Sequence, residues 1–406
     1  MDGRTVPHGE GWVGPSSPGP GIEAPEVGAA AVVVTWNAIQ HFYVYFDVVD
    51  ADWEAELDAA IADVLDDDDA IELELTLSRM LAKLHDAHAR VVGPHTTWGS
   101  APIQLARVEG RVVVVAAAPT TGLHRGDEIV AIDGQPVEAR LRERSAFVSG
   151  SPQWIDVQLL SRARVTRGLA GTSVALEVLR DGRAVRIETE RLRDNRIDAF
   201  HRPAIERMAD GLYYVDLERL EWPELQRALP KLARAREIVF DVRDGVHLDF
   251  EHTLSHLVRE PVTKPWMFVP RVIHPDRSPA PQWSPMAMTL LPAQPHIGAR
   301  ATFLIDASTV SSDETFTAFV QGVGLGESYG APTAGTNGDA ALIEVPGGFQ
   351  VYFSGMKARR FDGTQYQVVG LQPTHPVSRT LAGVRAGRDE IRDAALAAAR
   401  QRLGTK

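Results

Sequence analysis

The stretch that most restricts how this chain folds runs over residues 301–338, ATFLIDASTVSSDETFTAFVQGVGLGESYGAPTAGTNG. It opens with a short apolar run at 301–305, of buried-strand character. The segment Asp306-Ala307-Ser308-Thr309-Val310 then reads as a turn. From Ser311 onward Phe316, Phe319, Val320 and Val323 fall on one helical face. Ser311 is therefore expected where a strand hands over to a helix. A hydroxyl there lies beside free helix N–H groups that can face a developing oxyanion. The same residues have a second meaning, because Ser311-x-x-Glu314 is also a capping box that needs no chemistry. The Gly-rich segment 330–338 that follows the helix equally reads as a plain surface loop.

A chain of 406 residues exceeds what one core usually serves, so two or three domains are expected. The balance of 42 basic against 54 acidic residues argues against a general nucleic-acid binder. The chain has no cysteine, which excludes disulfides, thiolate metal sites and a cysteine nucleophile. No stretch reaches 18 apolar residues, so no membrane span is expected. Residues 1–28 lack a basic start and an apolar core and do not read as a signal peptide. The expected location is cytoplasmic, or periplasmic or secreted if the gene product begins upstream.

In chain order, residues 1–24 are rich in Pro, Gly and Ser and read as an extended or disordered arm. Residues 25–98 read as a helical subdomain whose buried face includes Ile71, Leu75, Leu77, Met80, Leu81 and Leu84. The acidic run 66–69 suits the positive end of a helix better than a metal site. At the end of this block stand His85, Asp86 and His88, with no further ligand at zinc-type spacing. His88 reads either as a hydrogen-bonded structural residue or as a base. Residues 99–192 change to short strands, including a hairpin with an Asp181-Gly182 turn. Residues 193–406 alternate strands and helices, as an α/β layered domain does.

The phrase Leu123-x-x-Gly126-Asp127-x-Ile129-x-x-Ile132-Asp133-Gly134 resembles a PDZ domain. With it stand HFYVYFD at 41–47, L-x-D-x-H at 84–88, FDVR at 240–243 and LIDASTVSSDE at 304–314. GAPTAGTNG at 330–338, VPGG at 345–348, VGLQPTHPV at 369–377 and GRDE at 387–390 complete the set. In this order and spacing the motifs resemble the C-terminal-processing, or tail-specific, serine peptidases, and within them the tricorn-like branch.

That resemblance implies an α/β fold: a crotonase (ClpP)-like core with an N-terminal helical subdomain and a PDZ-like β domain. It implies hydrolysis of peptides or unfolded protein tails through an acyl-enzyme, with neither metal nor organic cofactor, and leaves a homo-oligomer open. Ser311 takes the place of the nucleophile and His88 that of the general base. The backbone N–H groups of Ser312 and of Gly245, in the loop 244–246, take the place of the oxyanion donors. Three positions depart from the pattern. Thr336 stands where the processing branch has a lysine base. Gln367 stands where the tricorn-like branch has a carboxylate to orient the imidazole. Asp244 replaces the usual glycine after FDVR. Lys357, on an expected strand near the site, is either an alternative base or a solvated strand charge. The competing reading is a catalytically weak or inactive protein that holds peptides without cutting them.

Overall fold

The computed structural model describes residues 25–94, 97–197, 202–272, 274 and 280–404. The arm expected over residues 1–24 lies outside the described residues. At the centre is a six-stranded sheet in the order Ile205–Ala209, Leu212–Asp216, Glu237–Asp241, Arg300–Ile305, Gly326–Gly330, His375–Pro376. The first pair is antiparallel and all later neighbours are parallel. Successive side chains of a strand point to opposite faces. Ile238, Phe240, Phe303 and Ile305 accordingly join the core under the helices Trp222–Leu232 and Ser312–Val323. Val239 and Leu304 join the opposite core, under the helix Glu390–Gly404. Burial on both faces explains why EIVF and ATFLI are unbroken apolar runs.

The parallel order has a geometric consequence. The strands Glu237–Asp241, Arg300–Ile305 and Gly326–Gly330 are neighbours or next neighbours, and all end at the same edge. Their following loops, 242–246, 306–311 and 331–338, therefore converge, as ligand sites of open α/β sheets do.

Two further units pack around this sheet. One is a sheet in the order Ile103–Val108, Arg111–Ala117, Glu128–Ile132, Ser173–Arg180, Arg183–Glu190, with its own apolar cluster. Its last hairpin turns through Asp181 (φ 49°) and Gly182 (φ 79°), the two positive values that a tight two-residue turn requires. The other unit holds the helices Pro25–Phe42, Trp53–Val64 and Ala70–Ala82. Asp69, from the acidic run, caps the third of these by accepting from the N–H groups of Ile71 and Glu72. This helical core is closed by Val345, Phe349, Val351 and Phe353. They come from the strands Ala340–Val345 and Phe349–Ser354, which pair with each other, the second pairing also with Arg90–Val92. A distant segment of the chain thus completes the N-terminal block.

One large element is absent from the sequence reading, a hairpin of Val262–Val272 with Gln282–Leu290. Its strands contain Pro265, Pro270 and Pro285, and proline argues against a strand because it donates no ladder bond. The hairpin accommodates two of them with register shifts directly after Pro265 and Pro270.

Candidate active site

Ser311 immediately precedes the helix Ser312–Val323 with φ 59° and ψ −117°, a conformation that residues with side chains rarely adopt. Surrounding backbone bonds hold it there. Its N–H donates to the Thr336 carbonyl at 2.9 Å, and its own carbonyl accepts from Thr315 N at 3.0 Å. Ala334 N donates to the Thr309 carbonyl at 2.9 Å, tying the Gly-rich loop to the turn. The Ser311 side chain makes no capping bond, so the capping-box reading is corrected. Glu314 instead turns its carboxylate to the Gly-rich loop. It accepts from Gly335 N and Thr336 N, each at 2.8 Å, and from the Thr333 hydroxyl. Burial pushes the Glu314 pKa up to about 8, against the pull of these hydrogen bonds and of the Ser311 backbone.

His88 reaches the same place by a different route. The helix Ala70–Ala82 ends and His85 turns through φ 49° before the strand Arg90–Val92 begins. Tyr43 Oη donates to the Leu84 carbonyl at 2.7 Å and so fixes this junction. Ala87 N then donates to Thr336 Oγ1 at 3.0 Å. Thr336 is therefore bonded both to the residue before His88 and to Ser311. The imidazole is buried, and its Nδ1 lies 2.9 Å from Ser354 Oγ. Ser354 Oγ donates to Asp86 Oδ1 at 2.9 Å, and Ser354 N donates to Asp86 Oδ2 at 2.8 Å. A hydroxyl has one proton, and here the carboxylate receives it. Nδ1–H of His88 must then donate to Ser354, which leaves Nε2 with a free lone pair. Burial lowers the His88 pKa from its ordinary value, with Asp86 opposing, so the ring is neutral at neutral pH. Among the described residues no hydrogen bond joins this ring to the Ser311 hydroxyl.

The two expected oxyanion donors are both unengaged. Ser312 N is the first N–H of its helix, and neither it nor Gly245 N donates to any partner among the described residues. Their loops are bolted together. Val246 N donates to Asp313 Oδ1 at 3.0 Å, and Asp244 N donates to Ser308 Oγ at 2.8 Å. Gly245 has φ 143°, which explains a glycine at this point. Asp244 occupies the left-handed region at φ 64°, which Asp tolerates better than most residues, and this is how it replaces a glycine. Burial and nearby Asp306 push the Asp244 carboxyl pKa up, while Arg243 opposes. Arg243 itself donates to Asp241 and to Asp389, at 2.8 and 3.1 Å for its Nε and Nη1. FDVR and GRDE therefore meet in one buried ion cluster that anchors the 242–246 loop to the last helix.

Two sequence expectations are corrected. The buried Gln367 amide does not touch the imidazole. Its Nε2 donates to Thr336 Oγ1 and its Oε1 accepts from Asn337 N, each at 3.4 Å. Lys357 is no solvated strand charge. It is 4% exposed, paired with Asp47 Oδ2 at 2.5 Å, and its Nζ lies 4.8 Å from the Trp283 ring. An ammonium engaged in this way is poorly placed to act as a base. Ser354 was missed altogether, and so were Ser149 and Ser151. Ser149 Oγ accepts from Asp86 N at 3.0 Å, and Ser151 Oγ donates to the Ala334 carbonyl at 2.5 Å. Asp86 was visible only as a companion of the two histidines. Among the described residues no group of three or more His, Asp or Glu side chains is arranged to hold a metal ion, and no helix is long and apolar enough to cross a membrane.

A strained serine at a strand–helix turn, a buried imidazole and two unengaged N–H groups make a site of serine-hydrolase layout. Solved structures share the fold. Mature CPAF superposes with a TM-score of 0.74 at 13% identity, covering 91% of this chain and 96% of that one. A candidate peptidase of Parabacteroides merdae gives 0.56 at 18% identity, over 92% and 96%. The tricorn protease gives 0.51 at 14% identity, over 94% of this chain and 37% of that one. These likenesses establish a mixed helix-and-sheet fold shared with peptidases. No protein-family model matches the chain, and no curated protein matches it by sequence.

Proposed function

We propose that this chain is a serine endopeptidase acting on peptides or unfolded protein tails. The carrying observation is the ordered chain His88–Ser354–Asp86 beside a Ser311 held at positive φ, with Thr336 bonded to both segments. In this reading Nε2 of His88 takes the Ser311 proton, and Ser311 Oγ attacks the peptide carbonyl. The N–H groups of Ser312 and Gly245 receive the oxyanion. His88 then gives its proton to the leaving amine, and water attacks the acyl-enzyme with His88 again as base. Asp86, acting through Ser354, fixes the tautomer and offsets the imidazolium charge, the role first assigned to residue 367.

The core is read as crotonase-like, residues 99–192 as a PDZ-like domain and the chain as tricorn-like in its use of a histidine base. The motif order and the fold likeness to peptidases support this. One observation favours the competing reading, a peptide-holding protein without turnover: no hydrogen bond links Ser311 to His88 among the described residues. Catalytic hydrogen bonds often tighten only when substrate is bound, so this geometry does not decide against catalysis. Incubation of the parent and of Ser311→Ala with a chemically unfolded protein separates the two. Fragments from the parent alone support the peptidase. Binding without fragments from either chain supports the holding protein.

A further inference from the structure

All three strands of the small sheet beside the helical block run out of the candidate site. Arg90–Val92 starts two residues after His88, Phe349–Ser354 ends on the partner of the imidazole, and Ala340–Val345 leaves the Gly-rich loop. The inner face of this sheet closes the helical core through Val91, Ile343, Val351 and Phe353. Its outer face falls into rows, because residues two apart in a strand share a face. The register sets Tyr352 between Arg90 and Leu342, and Gln350 between Val92 and Glu344. One step towards the site, Ser354 stands opposite Ala340. His88 comes level with Ser354 on the other side, its Nδ1 2.9 Å from Ser354 Oγ. The base and its partner are thus the first row of an outward face, and two more rows continue beyond them.

Those two rows carry large apolar groups in the open. Leu342 is 47% exposed and Val92 is 45% exposed, at positions where the solvated face of an antiparallel sheet is ordinarily polar. The Tyr352 ring is fixed in place. The Arg90 guanidinium carbon lies 3.9 Å from its centroid, and Tyr352 Oη donates to Gln350 Oε1 at 3.2 Å. Arg90 Nη1 in turn donates to the His88 carbonyl at 3.3 Å. A ring held before its ligand arrives loses little freedom on binding. Exposed leucine and valine around a fixed aromatic ring, rimmed by Arg90 and Glu344, have the make-up of a docking surface.

Continuity with the base selects the occupant. His88 returns its proton to the leaving amine, so it stands on the leaving side of the scissile bond. An extended peptide running outward from it along these strands advances about 3.4 Å per residue, and the second row stands about 7 Å beyond the first. The second residue after the cut then comes over Tyr352 and Leu342.

We propose that Tyr352, Leu342 and Val92 form a subsite for an apolar side chain two residues beyond the scissile bond on its leaving side. The proposal rests on the peptidase reading, and it concerns an internal position of the peptide, not its end.

The test has a turnover arm and a binding arm, both with the full chain. Cuts in reduced and alkylated lysozyme are mapped by mass spectrometry. Peptides spanning one mapped cut, with at least five residues beyond it, then carry Leu or Asp at the second position. The expected kcat/KM is at least about 10-fold higher for Leu, the scale of partly burying one apolar side chain. Leu342→Asp is expected to bring this ratio close to one. Val33→Asp, at an equally exposed apolar position on the first helix, is expected to keep it. In the binding arm, Ser311→Ala is titrated into fluorescein-labelled alkylated lysozyme and read by anisotropy. Adding Leu342→Asp is expected to weaken binding several-fold, and adding Val33→Asp to leave it unchanged. If Leu342→Asp melts below the parent, Leu342→Ser replaces it in both arms. Cleavage with equal rates for Leu and Asp, or a ratio that survives the change at Leu342, overturns the subsite and keeps the peptidase reading. No cleavage, with binding that still depends on Leu342, removes the peptidase reading and keeps a peptide-docking face. Neither cleavage nor a Leu342-dependent difference removes both. A parent that sediments as a dimer, and as a monomer once Leu342→Asp is made, overturns the subsite by showing that a second copy covers this face.

Discussion

The two halves of the candidate machinery are built in opposite ways. Ser311 is positioned by backbone. Its N–H, its carbonyl and its dihedral angles are all set by the turn, the helix and the Gly-rich loop. His88 is positioned by side chains. Its ring is held by Ser354, which is held by Asp86, which is held in part by Ser149. A backbone-built position tolerates a change of side chain, because the side chain does not support the fold. A position built from side chains fails stepwise as each link is removed. The difference also decides what each half contributes. The turn supplies a half-buried hydroxyl beside free N–H groups, and the relay supplies a proton acceptor of defined tautomer.

The sharpest way to break this contrast is at Ser311. Ser311→Ala is expected to lower hydrolysis by about 10⁴-fold or more. Because the side chain caps nothing, the melting temperature should stay within about a degree or two of the parent. Ser311→Gly should be equally inactive and more stable by about 1 kcal/mol, since glycine relieves the positive φ. A large loss of stability in either variant would mean that the hydroxyl supports the fold after all.

Next in size are changes to the relay. His88→Ala should approach the Ser311→Ala loss, and Asp86→Asn should cost about 10²–10³-fold by upsetting the tautomer. Asp86→Asn should also lower stability by about 1–3 kcal/mol, because three buried donors lose a charged acceptor. Steady-state kinetics beside thermal melts checks both effects. An Asp86→Asn chain with parental kcat would detach Asp86 from the base.

Gly245→Ala tests the oxyanion loop. An alanine at φ 143° must shift the loop, so kcat should fall about 10²-fold with KM little changed. The smallest effects are expected at the two positions that the structure removes from the base. Lys357→Ala should retain activity within about threefold, since Asp47 is largely exposed and tolerates the loss of its partner. Gln367→Glu should give no rate gain, because residue 367 faces Thr336 and Asn337 and not the imidazole. It should instead destabilise the fold by about 1–3 kcal/mol through a poorly satisfied buried carboxylate. A rate gain in Gln367→Glu would restore it as the orienting residue.

The same contrast explains what could be read from the sequence. The strand, turn and helix around Ser311 are contiguous, so apolar periodicity exposes them. Gly245 and Ser312 come only from the family resemblance, which places oxyanion donors in the loop after FDVR and directly after the nucleophile. The relay joins residues 86, 88 and 354, and no local pattern links positions so far apart. Glu314 shows how a correct local motif misleads. The spacing of a capping box is present, yet tertiary contacts direct its carboxylate to residues 333–336. The hairpin after Val262 was hidden by its prolines, whose usual meaning is outweighed by two bulges. Lys357 reads as a surface charge until the fold places Asp47 and Trp283 beside it.

The central claim is that Ser311 is a nucleophile activated by a neutral His88 whose Nδ1 proton is committed to Ser354. A fluorophosphonate probe followed by intact-mass and peptide mapping tests it without knowledge of any substrate. The expected result is a single adduct on Ser311. Its rate should rise with pH through one ionisation below about 6.5, because burial lowers the His88 pKa and only the neutral ring accepts the proton. His88→Ala should remove this ionisation along with the fast reaction. No adduct, an adduct on another residue, or labelling of Ser311 at the parental rate in His88→Ala would contradict the claim.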